Sequence, residues 1–155
     1  MTQRWVDYLN EKGASYSRSA QKPAQRVPAP ELARTEVYFG DTGFGIAVIP
    51  ADRLVDLGEV SDLLGISCIR LASESELAEH FPDCEPGAMP PFGEAFRMPV
   101  LVDTAIARNE YIVFNIGTRG DAVRMRFEDY RQMVNPLIGS FASKSGGPLP
   151  RSVFY

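Results

Sequence analysis

Arg34-Thr35-Glu36-Val37-Tyr38-Phe39-Gly40-Asp41-Thr42-Gly43-Phe44-Gly45-Ile46-Ala47-Val48-Ile49-Pro50 is the stretch on which the fold class turns. Arg34 to Phe39 reads as a strand, Gly40 to Gly43 as a turn and Phe44 to Ile49 as a second strand. Together they predict a β-hairpin with a short glycine-rich connection. Pro50 lacks the N–H that a further rung would need, so the hairpin stops there. The next residues change period. Leu57, Val60, Leu63 and Leu64 fall on one face of a helix over 56–64, and Gly65 supplies its stop. Ile66 to Leu71 returns as a strand, and Ser73-Glu74-Ser75-Glu76 is a capping-box sequence that starts a helix running to His80.

Working outward, Trp5, Tyr8, Leu9 and Lys12 fall at helical spacing, which predicts an amphipathic helix over 3–12 ended by Gly13. Residues 14–33 read as irregular, because Pro23, Pro28 and Pro30 limit any helix to a short piece that Ser19 would cap. Towards the C-terminus, Pro99 to Asp103 and Tyr111 to Asn115 read as strands. Asp121 to Arg126 alternates Ala122, Val123 and Met125 with charged positions, as a half-buried strand does. Phe127 to Val134 reads as a closing helix stopped by Asn135-Pro136. From about Ser143 the chain is Ser-, Gly- and Pro-rich and is expected to pack only through Val153-Phe154-Tyr155. Strands outnumber helices and alternate with them. The expected class is α/β (α+β): a mixed sheet with helices around it, one domain over 1–142 followed by a tail over 143–155.

Composition agrees with a globular chain. Of 155 residues, 45% are hydrophobic and 23% charged. No apolar run approaches the length of a membrane span, and Met1-Thr2-Gln3-Arg4-Trp5 lacks the apolar region of a signal peptide, so a cytoplasmic protein without a membrane partner is expected. Cys68 and Cys84 do not make a disulfide framework; Cys68, in a strand-like context, is expected to be a core thiol. With one histidine, His80, and no paired cysteines, neither a zinc site nor a cofactor is expected, and a Ser-His-Asp triad would have to use His80. The net charge of −4 argues against general nucleic-acid binding. Yet residues 1–35 carry +3, residues 36–110 carry −10 and residues 111–155 carry +3. If the two ends share a face, that face suits a phosphate backbone; otherwise the clusters are solvated surface.

Two segments carry candidate chemistry. Between Pro82 and Gly93 four prolines and two glycines exclude a regular element, and within that run Gly87-Ala88-Met89-Pro90 has the makings of a stiff loop that aims backbone N–H groups at a carbonyl or oxyanion. In Phe114-Asn115-Ile116-Gly117-Thr118-Arg119-Gly120 a strand ends in an amide, a glycine and a hydroxyl suited to a small polar ligand. On local grounds each is equally an ordinary turn.

The run from Arg70 to Gly93, together with Phe114-Asn115-Ile116-Gly117-Thr118 and Ala47-Val48-Ile49-Pro50-Ala51-Asp52, resembles the YbaK/ProX family, which includes the editing domain inserted in bacterial prolyl-tRNA synthetases. The likeness spans roughly 19–136. It implies a partly barrel-like mixed sheet and a trans-acting deacylase that hydrolyses the ester between an amino acid and the 3′ end of tRNA, typically Ala or Cys mischarged on tRNA for proline. It implies that Gly87, Ala88, Met89 and Pro90 hold the aminoacyl carbonyl, that Asn115, Gly117 and Thr118 line the same pocket, and that Asp103 lies near it. The family lysine of the central strand is Arg34 here, and the histidine that often follows the turn threonine is Arg119. Arginine keeps a clamp for ribose or phosphate but cannot act as an acid or base at working pH. In this reading Arg34, Gly87 and Thr118 carry catalysis. Ala88, Met89, Pro90, Asp103, Asn115, Gly117 and Arg119 bind substrate, and no side chain stands out as a general base, so a tRNA hydroxyl would assist. The partner is the 3′ end of an aminoacyl-tRNA, with a synthetase as a second candidate. The alternative implied by Arg34 and Arg119 is a non-catalytic protein that binds an aminoacyl-tRNA end, an amino acid or a synthetase.

Overall fold

The predicted hairpin is present and one residue longer at each end: β2 is Ala33–Gly40 and β3 is Gly43–Pro50 in the computed structural model, which describes residues 2–19, 31–85 and 87–144. Gly40 pairs with Gly43, so only Asp41 and Thr42 lie outside the ladder. Gly43 has φ 111°, a conformation that glycine takes without strain. The Asp41 carboxylate accepts from the amides of Ser67 (3.1 Å) and Cys68 (3.0 Å), tying the hairpin tip to the chain that enters β5 (Ile69–Leu71).

β2 and β3 are the centre of a five-stranded sheet. β5 pairs antiparallel with the end of β2, while β6 (Val100–Asp103) runs parallel to β3 and β9 (Leu137–Gly139) parallel to β6. A second, antiparallel sheet has β8 (Ala122–Arg126) between β1 (Tyr16–Ser19) and β7 (Tyr111–Asn115). The two sheets meet at a corner, where Leu32 bridges Val113 in parallel and the Val113 amide donates to the Glu31 carbonyl (2.9 Å). That corner makes the architecture partly barrel-like. β4 (Leu54–Val55) and β10 (Ala142–Ser143) form a short separate pair.

Strand alternation divides the apolar residues between two cores. Val37, Ile46, Val48, Val100 and Val102 face inward and meet Ile112, Phe114, Val123 and Met125 of the smaller sheet. Helix α1 (Thr2–Glu11) closes this core with Trp5 and Leu9, and α6 (Phe127–Val134) with Phe127 and Tyr130. On the other face, Tyr38, Ala47, Ile49 and Leu101 lie under Phe141 and under Leu57 and Val60 of α2 (Leu57–Leu64). The capping box is formed as the sequence predicts. Ser73 Oγ accepts from the Glu76 amide (3.2 Å) and Glu76 accepts from the Ser73 amide (2.9 Å), starting α3 (Glu74–His80).

Several elements differ from the sequence expectation. β1 lies in the stretch read as irregular. Its four residues have no signal of their own; they are strand because β8 offers them an edge. Gly93–Phe96 is a one-turn helix, α4, that begins where the proline-rich stretch ends, and Thr104–Ala107 is another, α5. Cys68 is half-buried at the entry to β5 rather than in the core. The predicted contacts of Val153-Phe154-Tyr155 and the piece between Ser19 and Pro30 lie outside the described residues. No helix among those described is long and apolar enough to cross a membrane.

Candidate active site

A strand normally turns successive peptide groups to alternate neighbours. β5 covers β2 only from Tyr38 onward and β7 meets the start of the strand at Leu32, so between them the edge of β2 is open around Thr35. The Val37 carbonyl points to this edge, where it accepts from the Ala72 amide (2.8 Å), and alternation turns the Thr35 N–H and C=O the same way. A cleft of about 850 Å³ lies along this edge. Its walls are β2 residues Arg34, Thr35 and Glu36, the Leu77 face of α3, and the two loops that the sequence singled out.

Those loops are hydrogen-bonded to each other. The Gly117 amide donates to the Ala88 carbonyl (2.8 Å), the Glu85 amide donates to the Gly117 carbonyl (2.8 Å), and the Arg119 amide donates to Glu85 Oε2 (3.3 Å). Gly117 has φ 92°, and a Cβ there would press on the Trp5 ring at 3.0 Å. Gly87 has φ 81°, and a Cβ there would lie 3.1 Å from the Arg119 guanidinium. Each glycine therefore permits both a left-handed turn and a close approach. The Ala88 amide is committed to the Glu85 carbonyl (3.0 Å), whereas those of Gly87 and Met89 enter no backbone pair among the described residues.

Of the expected site residues, Arg34, Gly87, Met89, Asn115 and Arg119 line the cleft. Asn115 Oδ1 is buried there and has no hydrogen-bond partner among the described residues. Ala88 and Pro90 are buried behind the loop. The Thr118 hydroxyl is turned to Asp121 (3.2 Å), which also accepts from Thr2 and pairs with Arg18, so it holds the turn instead of lining the cleft. Asp103, expected near the pocket, is elsewhere. Its buried carboxylate accepts from the amides of Ala105 (2.8 Å), Phe141 (2.8 Å) and Ala142 (2.9 Å) at the end of β6. Three N–H groups, that of Phe141 buried and those of Ala105 and Ala142 partly buried, find their acceptor there, and this structural demand accounts for the aspartate.

Arg34 is not an open clamp. One guanidinium nitrogen donates to the Arg53 carbonyl and another pairs with Glu36 (3.2 Å). Glu36 is the group that reading the sequence overlooked. Glu36 is among the residues lining the cleft, and burial raises its pKa above the ordinary glutamate value, an effect that Arg34 opposes. The signal available was a glutamate two residues from the arginine, on the same strand face. Cys84 also lines the cleft, but burial pushes its thiol up to about 11, so it is uncharged at neutral pH. His80 ends α3 outside this cleft, against Phe44 and Phe81. Among the described residues no three His, Cys, Asp or Glu side chains gather as a metal site.

The sequence profile of the aminoacyl-tRNA editing domain matches residues 12–133. The chain belongs to the aminoacyl-tRNA editing domain family. Solved structures share the fold of this editing domain at low identity. A proposed trans-editing enzyme for prolyl-tRNA synthetase superposes with a TM-score of 0.79 at 18% identity, covering 92% of this chain and 96% of that one. The hypothetical protein APE2540 gives 0.78 at 14%, covering 90% and 99%. A protein of Marinobacter aquaeolei put forward as a signal-transduction protein gives 0.72 at 20%, covering 88% of this chain and 30% of that larger one. No curated protein sequence matches. In this editing domain the basic ends of the chain do meet through the β1–β8 pairing, yet Arg18 pairs with Asp121, Arg124 with Glu31 and Arg131 with Glu128. Acids of the negative middle segment offset part of the remaining positive charge, Asp83 pairing with Arg4, Glu94 with Lys12 and Glu36 with Arg34.

Proposed function

We propose that this editing domain is an aminoacyl-tRNA deacylase acting in trans on mischarged tRNA, with Ala- or Cys-tRNA for proline as the first substrates to test. The observation that carries the reading is the hydrogen-bonded union of the Glu85–Met89 loop with the Asn115–Arg119 loop on one wall of the cleft. In this reading the terminal aminoacyl-adenosine enters along the open edge of β2. Water attacks the ester carbonyl, and the amides of Gly87 and Met89 face the oxyanion as it forms. Glu36 takes the water proton as the C–O bond to water forms and gives it to the ribose oxygen as the ester bond breaks, so the tRNA leaves with a free hydroxyl and the amino acid as its carboxylic acid. Arg34 positions the Glu36 carboxylate and keeps it charged. Asn115 Oδ1 accepts from the substrate. Asp103 and Thr118 have supporting roles.

The test is release of the amino acid from a panel of mischarged tRNAs by the full chain. Turnover on at least one of them, lost in Glu36→Gln, supports the proposal. Intact ester across the panel at high enzyme concentration rejects it and favours the binding reading, for which the internal pairing of Arg34 with Arg53 and Glu36 speaks.

A further inference from the structure

Phe81 and Pro82 line two clefts. One is the cleft described above. The other, of about 270 Å³, is lined by Arg4, His80, Asp83, Phe96 and Arg97 as well as by Phe81 and Pro82. Its composition stands out, because residues 36–110 carry −10 overall, yet His80 and Arg97 meet Arg4 here. Asp83 is the carboxylate in the lining, and Arg4 pairs with it. Glu94, close to Arg97 in sequence, pairs with Lys12 (3.2 Å). The walls are aromatic. Phe81 and Phe96 meet edge to face at 5.3 Å, and the Arg4 guanidinium lies 4.5 Å from the Trp5 ring centre and 5.8 Å from that of Phe96.

The backbone adds an independent observation. Among the described residues two that are not glycine have positive φ. One is Asn135 at 54°, a residue type that tolerates the conformation. The other is Arg97 at 57°, a long side chain for which it is unfavourable. Glycine would serve the backbone better at the end of α4. The strain is borne where the side chain reaches a cleft, the situation in which strained residues recur at binding sites.

We infer that this second cleft is a subsite for the nucleotide that precedes the terminal adenosine on the same RNA strand. The inference rests on the deacylase reading of the first cleft. A strand whose 3′ residue fills that cleft leaves it over the Phe81-Pro82 wall. It then meets cations for its phosphate and aromatic rings for its base, the pair of features by which proteins hold single-stranded nucleic acid. Arg97 takes the phosphate, His80 and Phe96 flank the base, and Arg4, held by Asp83, forms the rim.

The test compares a cytidine-cytidine-adenosine trinucleotide with adenosine monophosphate by calorimetry, using the full chain. Stacking of one base and one phosphate contact predict that the trinucleotide binds about tenfold more tightly or better. The double variant Arg97→Gly with His80→Ala reduces that ratio to within about twofold, and the salt slope of trinucleotide binding falls by about 0.7. Glycine suits the φ of position 97, so the variant keeps its fold, and a thermal melt verifies it. Arg126→Ala, an exposed cation on β8, leaves the ratio unchanged. An unaltered ratio in the double variant, or a wild type that gains nothing from the two cytidines, overturns the subsite while leaving the deacylase reading standing. A wild type that binds neither probe and hydrolyses no mischarged tRNA fails the deacylase reading itself, and the subsite with it.

Discussion

In the proposed reaction the chemistry turns on two single residues, Glu36 and Gly87. Glu36 is raised by burial and restrained by Arg34, so its basic form accumulates as pH rises through a value above the ordinary glutamate range. Deacylation should therefore climb with pH across that range and level off. Replacing Glu36 with Gln should remove the climb and lower turnover by about 100-fold or more, measured under single-turnover conditions. At Gly87, any side chain meets both the positive φ and the Arg119 guanidinium. Gly87→Ala should cost about 1–2 kcal/mol in a denaturant titration and weaken binding of an aminoacyl-adenosine analogue. Glu36 was hard to find in the sequence for a physical reason. A charged residue in an alternating strand ordinarily faces solvent, and only the gap that β5 and β7 leave along this edge of β2 makes this position a cleft wall. The glycines were easier, because a positive φ restricts residue choice strongly enough to leave a mark.

Elements were legible where their signals are local. β7, α6 and the capping box of α3 carry their own period, caps and stops, and they appear where the sequence puts them. β1 carries none: Ser19 is strand because Ala122, more than a hundred residues later, is its partner. Asp103 illustrates the same limit. The family resemblance places it near the site, but its carboxylate accepts from Phe141 and Ala142, which a reading of neighbouring residues does not reach. Asp103→Ala should cost about 3 kcal/mol or more in denaturant unfolding, since it strands buried N–H groups. For α3 the prediction concerns acid. Glu76 is held down to about 2, first by the hydrogen bond from Arg70 and then by the Ser73 amide. A depressed carboxylate stabilises the fold above its unfolded pKa and loses that contribution as pH falls from about 4.5 towards 2. Glu76→Gln should flatten the acid limb of a melting-temperature profile over that window.

Across the whole molecule, the site depends on α1, an element far from it in sequence. Trp5 fills the space under Gly117 and packs against Phe92 and Phe96. Trp5→Ala should cost about 3–5 kcal/mol, read from a shifted denaturant midpoint with little change in slope. It should also loosen the Asn115–Arg119 loop, which faster amide exchange at Gly117 would report. The fold class could be read from one hairpin and the helices after it. The corner that joins two sheets and leaves β2 open could not, because it rests on a single bridge between Leu32 and Val113.

That open edge has a consequence for solubility. Unpaired peptide groups on a strand are a template for another strand, and proteins guard such edges against sticking to copies of themselves. Here the guard is α3, seven residues long, with a half-buried Leu77 facing the edge. Weakening its cap with Ser73→Ala, a change of about 1 kcal/mol, should therefore appear first as slow β-rich oligomers in light scattering, before any loss of the folded core. The gap proposed to admit the substrate is also the place where this protein is most exposed to its own kind.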